Sequence, residues 1–321
     1  MTGNKLLKAP LNIAKTHPSI PIIFGLLITF SLFSPFFLTG GNMQAIMSAN
    51  AVILIAAVGQ TMVLLTGGID LSVSTVVSAG AVVAGTVMLV TQSVFLGFIA
   101  AVAVGLTFGM INGLLIGYGG LNPFITTMGT GLVARGIAFW QSQGIAVKGT
   151  PESLVDFGFS SILGIPSVAF VSIVIAIVCS IFVTQTTWGR KVILFGSNRD
   201  SARYAGIKTR LIEMSVYLVS GLLAGIAGFI SIANLGNAIP GVGDTILLII
   251  IGGVVLGGTS MFGGEGSITR TILGVGILAI LTNGLNLIGI PFYDQLIIQG
   301  ILIFVGNGLA TKLSEKSDLA M

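Results

Sequence analysis

Apolar residues come in runs of about twenty along most of this chain, separated by short polar stretches. An α-helix needs a run of roughly that length to cross a hydrocarbon core about 30 Å thick. The pattern predicts ten such helices, over residues 20–38, 44–65, 71–89, 93–118, 122–141, 167–184, 211–234, 245–256, 268–288 and 292–309. The eighth is short unless the glycines after it belong to it. Residues 1–19 form a polar N-terminal segment, 20–310 a single transmembrane domain, and 311–321 a polar tail. The first run is longer than a signal-peptide core and no small-residue cleavage site follows it, so it is expected to remain as a span. Five helices precede residue 142 and five follow residue 166. Because five is odd, the halves take opposite orientations, as in an inverted repeat.

Composition agrees with this layout. Of 321 residues, 54% are hydrophobic and 7% charged, against about 25% charged in a soluble domain. The chain is an all-α integral membrane protein. Its 14 basic residues outnumber 10 acidic ones, and their placement sets the topology. With the N-terminus inside, Lys5, Lys8, Lys15, Arg190, Lys191, Arg199, Arg203, Lys208, Arg210, Arg270, Lys312 and Lys316 fall in cytoplasmic segments. Lys148 is left outside and Arg135 falls within a span. This asymmetry is the positive-inside pattern, with both termini cytoplasmic. It points to lipid contact and orientation, not to a nucleic-acid partner. Cys179 is the sole cysteine and His17 the sole histidine, so neither a disulfide framework nor a His/Cys metal site is available. No carboxylate pair or nucleophile–base set stands out. No enzymatic activity, metal or cofactor is expected of the chain itself.

The polar stretch 185–210, QTTWGRKVILFGSNRDSARYAGIKTR, holds seven of the charged residues, six of them basic. Within it Asn198, Arg199, Asp200, Ser201, Ala202, Arg203, Tyr204, Ala205 and Gly206 read as one short helix. Asn198 caps its amides, Asp200 and Arg203 suit the dipole, and Gly206 stops it. Alone in water so short a helix is not stable, because about 12–15 residues are only marginal. It is either part of a solvated basic loop that sets topology or an element that lies on a surface. Ala202 and Ala205 are expected to share a face small enough to press on a partner, with Arg199 and Arg203 as a charged stripe.

Glycine is frequent, 46 residues. Gly105, Gly109, Gly113 and Gly117 recur every fourth residue, and Gly221/Gly225 and Gly253/Gly257 repeat the spacing, which is a helix-packing signal. In the segment 66–73, TGGIDLSV, Asp70 or Ser72 can cap the next helix; alternatively Asp70 pairs with a basic group in an inner gate. The stretch 256–266, LGGTSMFGGEG, lacks the lysine of a phosphate-binding loop and reads as a flexible cytoplasmic turn packed on neighbouring loops. Arg135 either snorkels to the outer interface or acts within the membrane, with Asp244 as its possible partner. Asn122, Asn283 and Asn286 either bind hydroxyls of a polar solute or join helices. The longest external loop, 142–166, carries Lys148, Glu152 and Asp156.

These motifs together resemble the permeases of bacterial sugar ABC importers of the ribose-permease type, in the branched-chain amino acid/ribose permease superfamily. The resemblance runs over about residues 20–310. It rests on GQTMVLLTGGIDLSVS (59–74), Asn122-Pro123-Phe124 followed by Arg135-Gly136, TTWGRKVILFGSNRDSARYAGI (186–207), VVLGGTSMFGGEGS (254–267) and LTNGLNLIGI (281–290). It implies a pathway-forming subunit of the bacterial inner membrane. The implied partners are an ATP-binding subunit, a second permease copy or paralogue, and an extracytoplasmic sugar-binding protein, which loop 142–166 would meet. It assigns ATPase coupling to 198–206, and leaves Asn122, Phe124, Asn283 and Asn286 as candidates for the substrate path and Asp70, Arg135 and Asp244 as candidates for a gate or a structural role. Family members commonly carry an acidic residue where this chain has Leu247-Leu248-Ile249-Ile250. An ion-coupled secondary transporter of a small polar solute is the competing expectation, since ten helices in inverted halves suit it too.

Overall fold

The structure, a computed structural model, describes residues 19–318. Lys5, Lys8, Lys15 and His17 lie outside the described residues.

Helix α1 (Ser19–Phe33) is followed by a turn and by α2 (Gly40–Leu64), capped by Thr39, whose hydroxyl accepts the Asn42 amide. Next come α3 (Val73–Thr91) and α4 (Val94–Gly113), which widens into a π-turn over Leu114–Tyr118. Asn122 caps α5 (Pro123–Ser142), with proline in the first turn where no amide partner is needed. Then follow α6 (Glu152–Phe159) and an antiparallel ribbon of β1 (Ser161–Ile162) and β2 (Ile165–Pro166), with Ser161 opposite Pro166. Helices α7 (Ser167–Gln185), α8 (Thr187–Ser197), α9 (Arg199–Tyr204) and α10 (Thr209–Leu235) come next. The chain closes with α11 (Leu247–Leu256), α12 (Ile268–Leu287) and α13 (Phe292–Asp318), the last running on into the stretch expected as a tail.

A helix occupies each of the ten apolar runs, and six are both long and apolar enough to cross a membrane: Gly40–Leu64, Val73–Thr91, Val94–Tyr118, Ser167–Gln185, Thr209–Leu235 and Ile268–Leu287. α1 and the apolar part of α13, Phe292–Val305, are shorter. Three threonines and Arg135 make α5 more polar than those six. The glycines after α11 do not extend it. The backbone turns at Gly258, with φ +96°, so the helix keeps 10 residues, about 15 Å. Residues 236–246, which lead into α11, are irregular yet packed into the bundle. A Cβ on Gly85 of α3 would lie 2.6 Å from the Ala238 methyl carbon, and the buried Gly243 amide donates to Ser78 Oγ at 2.8 Å. Irregular backbone inside a membrane protein survives where side chains take up its polar groups.

Loop 142–166 differs from expectation. It is not simply a loop, since it contains α6 and the ribbon. Leu154 and Gly158 turn inward, and Gly158 lies flat on the Ala233 carbonyl of α10.

α10 is the most enclosed helix, packed against α4, α2 and α3. The glycine spacing gives the reason. On α4, a Cβ at Gly109 would lie 2.6 Å from the Tyr217 carbonyl oxygen, and one at Gly113 2.6 Å from that of Met214. Gly105 and Gly221 each abut the other's carbonyl oxygen. Gly253 and Gly257 do the same for α11 against Val275 and Arg270 of α12. Gly109→Leu should therefore lower the melting temperature in detergent sharply, since overpacking costs about 1–3 kcal/mol or more. Gly276→Ala, with nothing within 4 Å of the new methyl group, should be neutral or gain about 0.5–1 kcal/mol from helix propensity. Equal melting temperatures for the two variants would refute close α4–α10 packing.

Candidate functional sites

The basic island holds two helices where the sequence suggested one. α8 forms because Thr186 caps it, accepting the Gly189 amide at 3.2 Å, and because Gly189, Val192 and Phe195 line an inward face. Trp188 Nε1 donates to Ser215 Oγ of α10 at 2.8 Å. α9 is built as the sequence indicated. Asn198 Oδ1 accepts the Ser201 amide at 2.8 Å, and Gly206 stops the helix at φ +74°.

Two details of α9 are corrected. Ala202 and Ala205 do not form one free face: Ala202 is fully buried where α9 lies on α8 and the start of α10, while Ala205, past the last helical residue, is exposed. Nor are Arg199 and Arg203 an equivalent stripe. Arg199 is engaged within the chain, donating to Glu213 Oε1 at 2.7 Å with its guanidinium 4.8 Å from the Phe195 ring centre. Asp200, Ser201 and Arg203 are exposed, and Tyr204 is 91% exposed.

Three glycine-bearing segments meet beside α8. The Gly264 amide donates to the Leu65 carbonyl at 2.9 Å, and Gly196 of α8 rests on that same carbonyl. Gly67 (φ +73°), Gly263 (φ +91°) and Gly264 (φ +78°) take left-handed conformations that favour glycine. A Cβ on Gly67 would lie 3.0 Å from the Phe262 carbonyl oxygen. The turn 257–267 is thus packed on its neighbours, as expected, and it leaves the Phe262 side chain 93% exposed. No periodicity in the sequence marked Phe262; an aromatic residue inside a glycine-rich turn was the available signal.

Among the described residues Asp70 has no basic partner, contrary to the gate expectation. It is buried, and accepts from the Ser72 amide at 3.0 Å, Ser72 Oγ at 2.6 Å and Ser220 Oγ of α10 at 2.9 Å. Ser72 Oγ in turn accepts from Asn112 Nδ2 of α4 at 2.9 Å, and Asn112 Oδ1 accepts from Thr130 Oγ1 of α5 at 2.6 Å. One carboxyl between spans thereby links α3, α4, α5 and α10. Hydroxyls suffice because they offset part of the desolvation without placing a second charge in the interior. Burial pushes the Asp70 carboxyl above its ordinary value, and the hydrogen bonds from Ser72 and Ser220 pull it part of the way back. Ser72 was marked in the sequence only as a helix cap, and Ser220 and Asn112 not at all; they come from separate helices and become a group only in three dimensions.

Arg135 and Asp244 do meet, Nη2 to Oδ2 at 2.8 Å, with the guanidinium 5.6 Å from the Phe139 ring centre. The substrate-path candidates do not form one group. Asn122 Oδ1 is occupied in capping, accepting the amides of Phe124 and Ile125 at 2.9 and 3.4 Å, and Phe124 is exposed. Asn283 exchanges two hydrogen bonds with Asn42, each 2.9 Å, and Asn286 is exposed. Asn42 stands at the start of α2. α5, near its Asn122 cap, meets the turn after α2, where Thr127 accepts the Leu71 amide. These sites lie at opposite ends of α2, a 25-residue helix about 38 Å long. Lys148, Glu152 and Asp156 are exposed on and beside α6.

Six apolar helices of membrane-crossing length, with an amphipathic island between them, make this a multi-pass helical membrane protein. Residues 42–306 match the family described as branched-chain amino acid transport system / permease component, and the chain belongs to that family. It is 34% identical to the D-allose transport system permease protein of Escherichia coli K12 over 96% of both chains. To the ribose import permease protein of the same organism it is 34% identical, over 89% of this chain and 91% of that one. The ribose import permease protein of Bacillus subtilis is 37% identical over 91% of each chain. No solved structure matches the chain.

The Asp70 carboxyl yields a pH test. Its folded value lies above the ordinary 3.8, so the folded state holds the proton more tightly than the unfolded one. Its contribution to stability is therefore full below the ordinary value and lost as pH rises through the raised one. Asp70→Asn keeps an acceptor for Ser72 and removes the titration, so its melting temperature should vary less with pH. Asp70→Ala should lose about 1–3 kcal/mol through unpaired hydroxyls. An Asp70→Asn profile as steep as the wild type's would assign the dependence to another group.

Proposed function

We propose that this chain is the transmembrane permease subunit of an ATP-driven importer in the bacterial inner membrane, forming the path for a sugar or sugar-like solute. The observation that carries this is likeness, over about nine-tenths of the chain or more, to import permeases named for allose and ribose. Ten spans in two inverted halves, with both termini cytoplasmic, suit the charge asymmetry. ATP is hydrolysed on a separate subunit, and a second permease copy or paralogue completes the membrane unit. An extracytoplasmic binding protein delivers the solute to the surface of α6 and the ribbon, where Lys148, Glu152 and Asp156 steer its approach.

The ATP-binding subunit docks on α8 and α9, the basic and cytoplasmic end of the bundle. Support comes from the exposure of Tyr204 and Arg203 on a short helix that is itself held in place by Ala202, Arg199 and Glu213. Phe262 extends this surface. Rigid presentation of one aromatic and one basic side chain is the usual make-up of an interface anchor.

In vesicles holding the complete transporter, uptake should require internal ATP and survive collapse of the proton gradient. Uptake without ATP that an uncoupler abolishes would favour the ion-coupled transporter instead. Tyr204→Ala should keep thermal stability within about 0.5 kcal/mol, as surface changes do, yet reduce co-purification of the ATP-binding subunit. Ala202→Trp should lose stability as well, because its methyl group is enclosed by its own chain. Normal assembly and uptake in Tyr204→Ala would show that α9 does not dock.

A further inference from the structure

We infer that the Arg135–Asp244 pair lines the aqueous path of the solute, where guanidinium, carboxylate and the Phe139 ring together form a contact site for a polyhydroxylated solute. This rests on the permease function proposed above and locates part of its path.

Depth is the first argument. Arg135 lies seven residues, about 10 Å, before the Ser142 end of α5 and about 18 Å beyond its Pro123 start. Asp244 follows Gly243, whose amide is held by Ser78 of α3, about 20 Å before the Thr91 end of that helix. Arginine has a stem long enough to reach an interface; the short side chain of aspartate does not. The pair is therefore fixed within the bundle's thickness.

Exposure is the second. The two side chains are 50% and 27% exposed, so the pair looks away from its own bundle. Charges at that depth facing lipid are costly, and membrane proteins turn them toward water or protein. Asp70, by contrast, is enclosed by hydroxyls.

Chemistry is the third. One carboxylate oxygen, Oδ2, takes the arginine, which leaves acceptor capacity on the carboxylate and several guanidinium N–H groups unspent. Adjacent hydroxyls of a sugar can donate to the first and accept from the second, while a C–H face lies on Phe139. A Cβ on Gly241 would stand 3.2 Å from Asp244 Oδ2 and 3.7 Å from the Phe139 ring edge, so the missing side chain keeps the carboxylate and the ring close.

The test uses the whole transporter with Cys179→Ser, which removes the chain's one thiol. Asp244→Cys should react with a membrane-impermeant thiol reagent. Leu132→Cys, one turn from Arg135 on the same face and compatible with the intact pair, should react too. If neither reacts, the face meets lipid or a protein neighbour and the inference is wrong. Arg135→Ala and Asp244→Asn should each slow uptake about ten-fold, the scale of one lost charge-assisted hydrogen bond, with assembly of the ATP-binding subunit retained. The double exchange Arg135→Asp with Asp244→Arg restores a tie between α5 and the 236–246 segment but reverses the groups met by the solute. Stability should return and uptake should not. Full uptake in the exchanged protein would reduce the pair to a structural tie. Uptake that an uncoupler abolishes would overturn the importer reading while leaving the labelling result in place.

Discussion

Close approach of two backbones, α4 against α10, is the constraint from which the rest of this bundle follows. Inside a bilayer, apolar side chains gain little by leaving lipid for one another, so helices associate through dispersion and short-range polar contacts that need proximity. Gly105, Gly109 and Gly113 on one side and Gly221 and Gly225 on the other remove the atoms that would keep the axes apart. With α10 seated there, Ser220 comes within reach of Asp70, and Tyr217 OH donates to the Ile69 carbonyl at 3.4 Å. The polar cluster beneath the GGID turn is thus a product of the packing as well as a support for it.

Much of the frame could be read from the chain because its signals are local. Runs of apolar residues marked the helices, a four-residue glycine period marked the packing face, and Asn198 with Gly206 bracketed α9. What the sequence hid depends on contacts between distant segments. Thr187–Ser197 reads as a basic stretch, and its inward face of Val192 and Phe195 becomes visible only against α10. Ala202 looks like a free small residue until α8 covers it. Asp70 invites a basic partner, since a single sequence cannot show that Ser72, at the start of α3, and Ser220 of α10 bring hydroxyls to it.

The irregular segment 236–246 illustrates a different limit. With Pro240, Asp244 and three glycines it falls almost wholly outside the apolar runs, and nothing in the sequence shows that it packs inside the bundle. Its departure from helix is fixed by partners elsewhere: Ser78 for the Gly243 amide, Val147 for Ala238, and Arg135 for Asp244. The backbone of this segment borrows its satisfaction from two other parts of the chain, and its carboxylate from a third, which is how a stretch without helix stays packed in the bundle.

The junction of Leu65, Gly67, Gly196 and Gly264 has a mechanical meaning. Most contacts between structural elements pass through side chains, whose rotamers absorb small displacements as a soft spring would. Here main chain bears directly on main chain, so compliance is low. A displacement of Gly196 would therefore meet the carbonyl of Leu65, and the turn that holds Asp70 beyond it, with little slack.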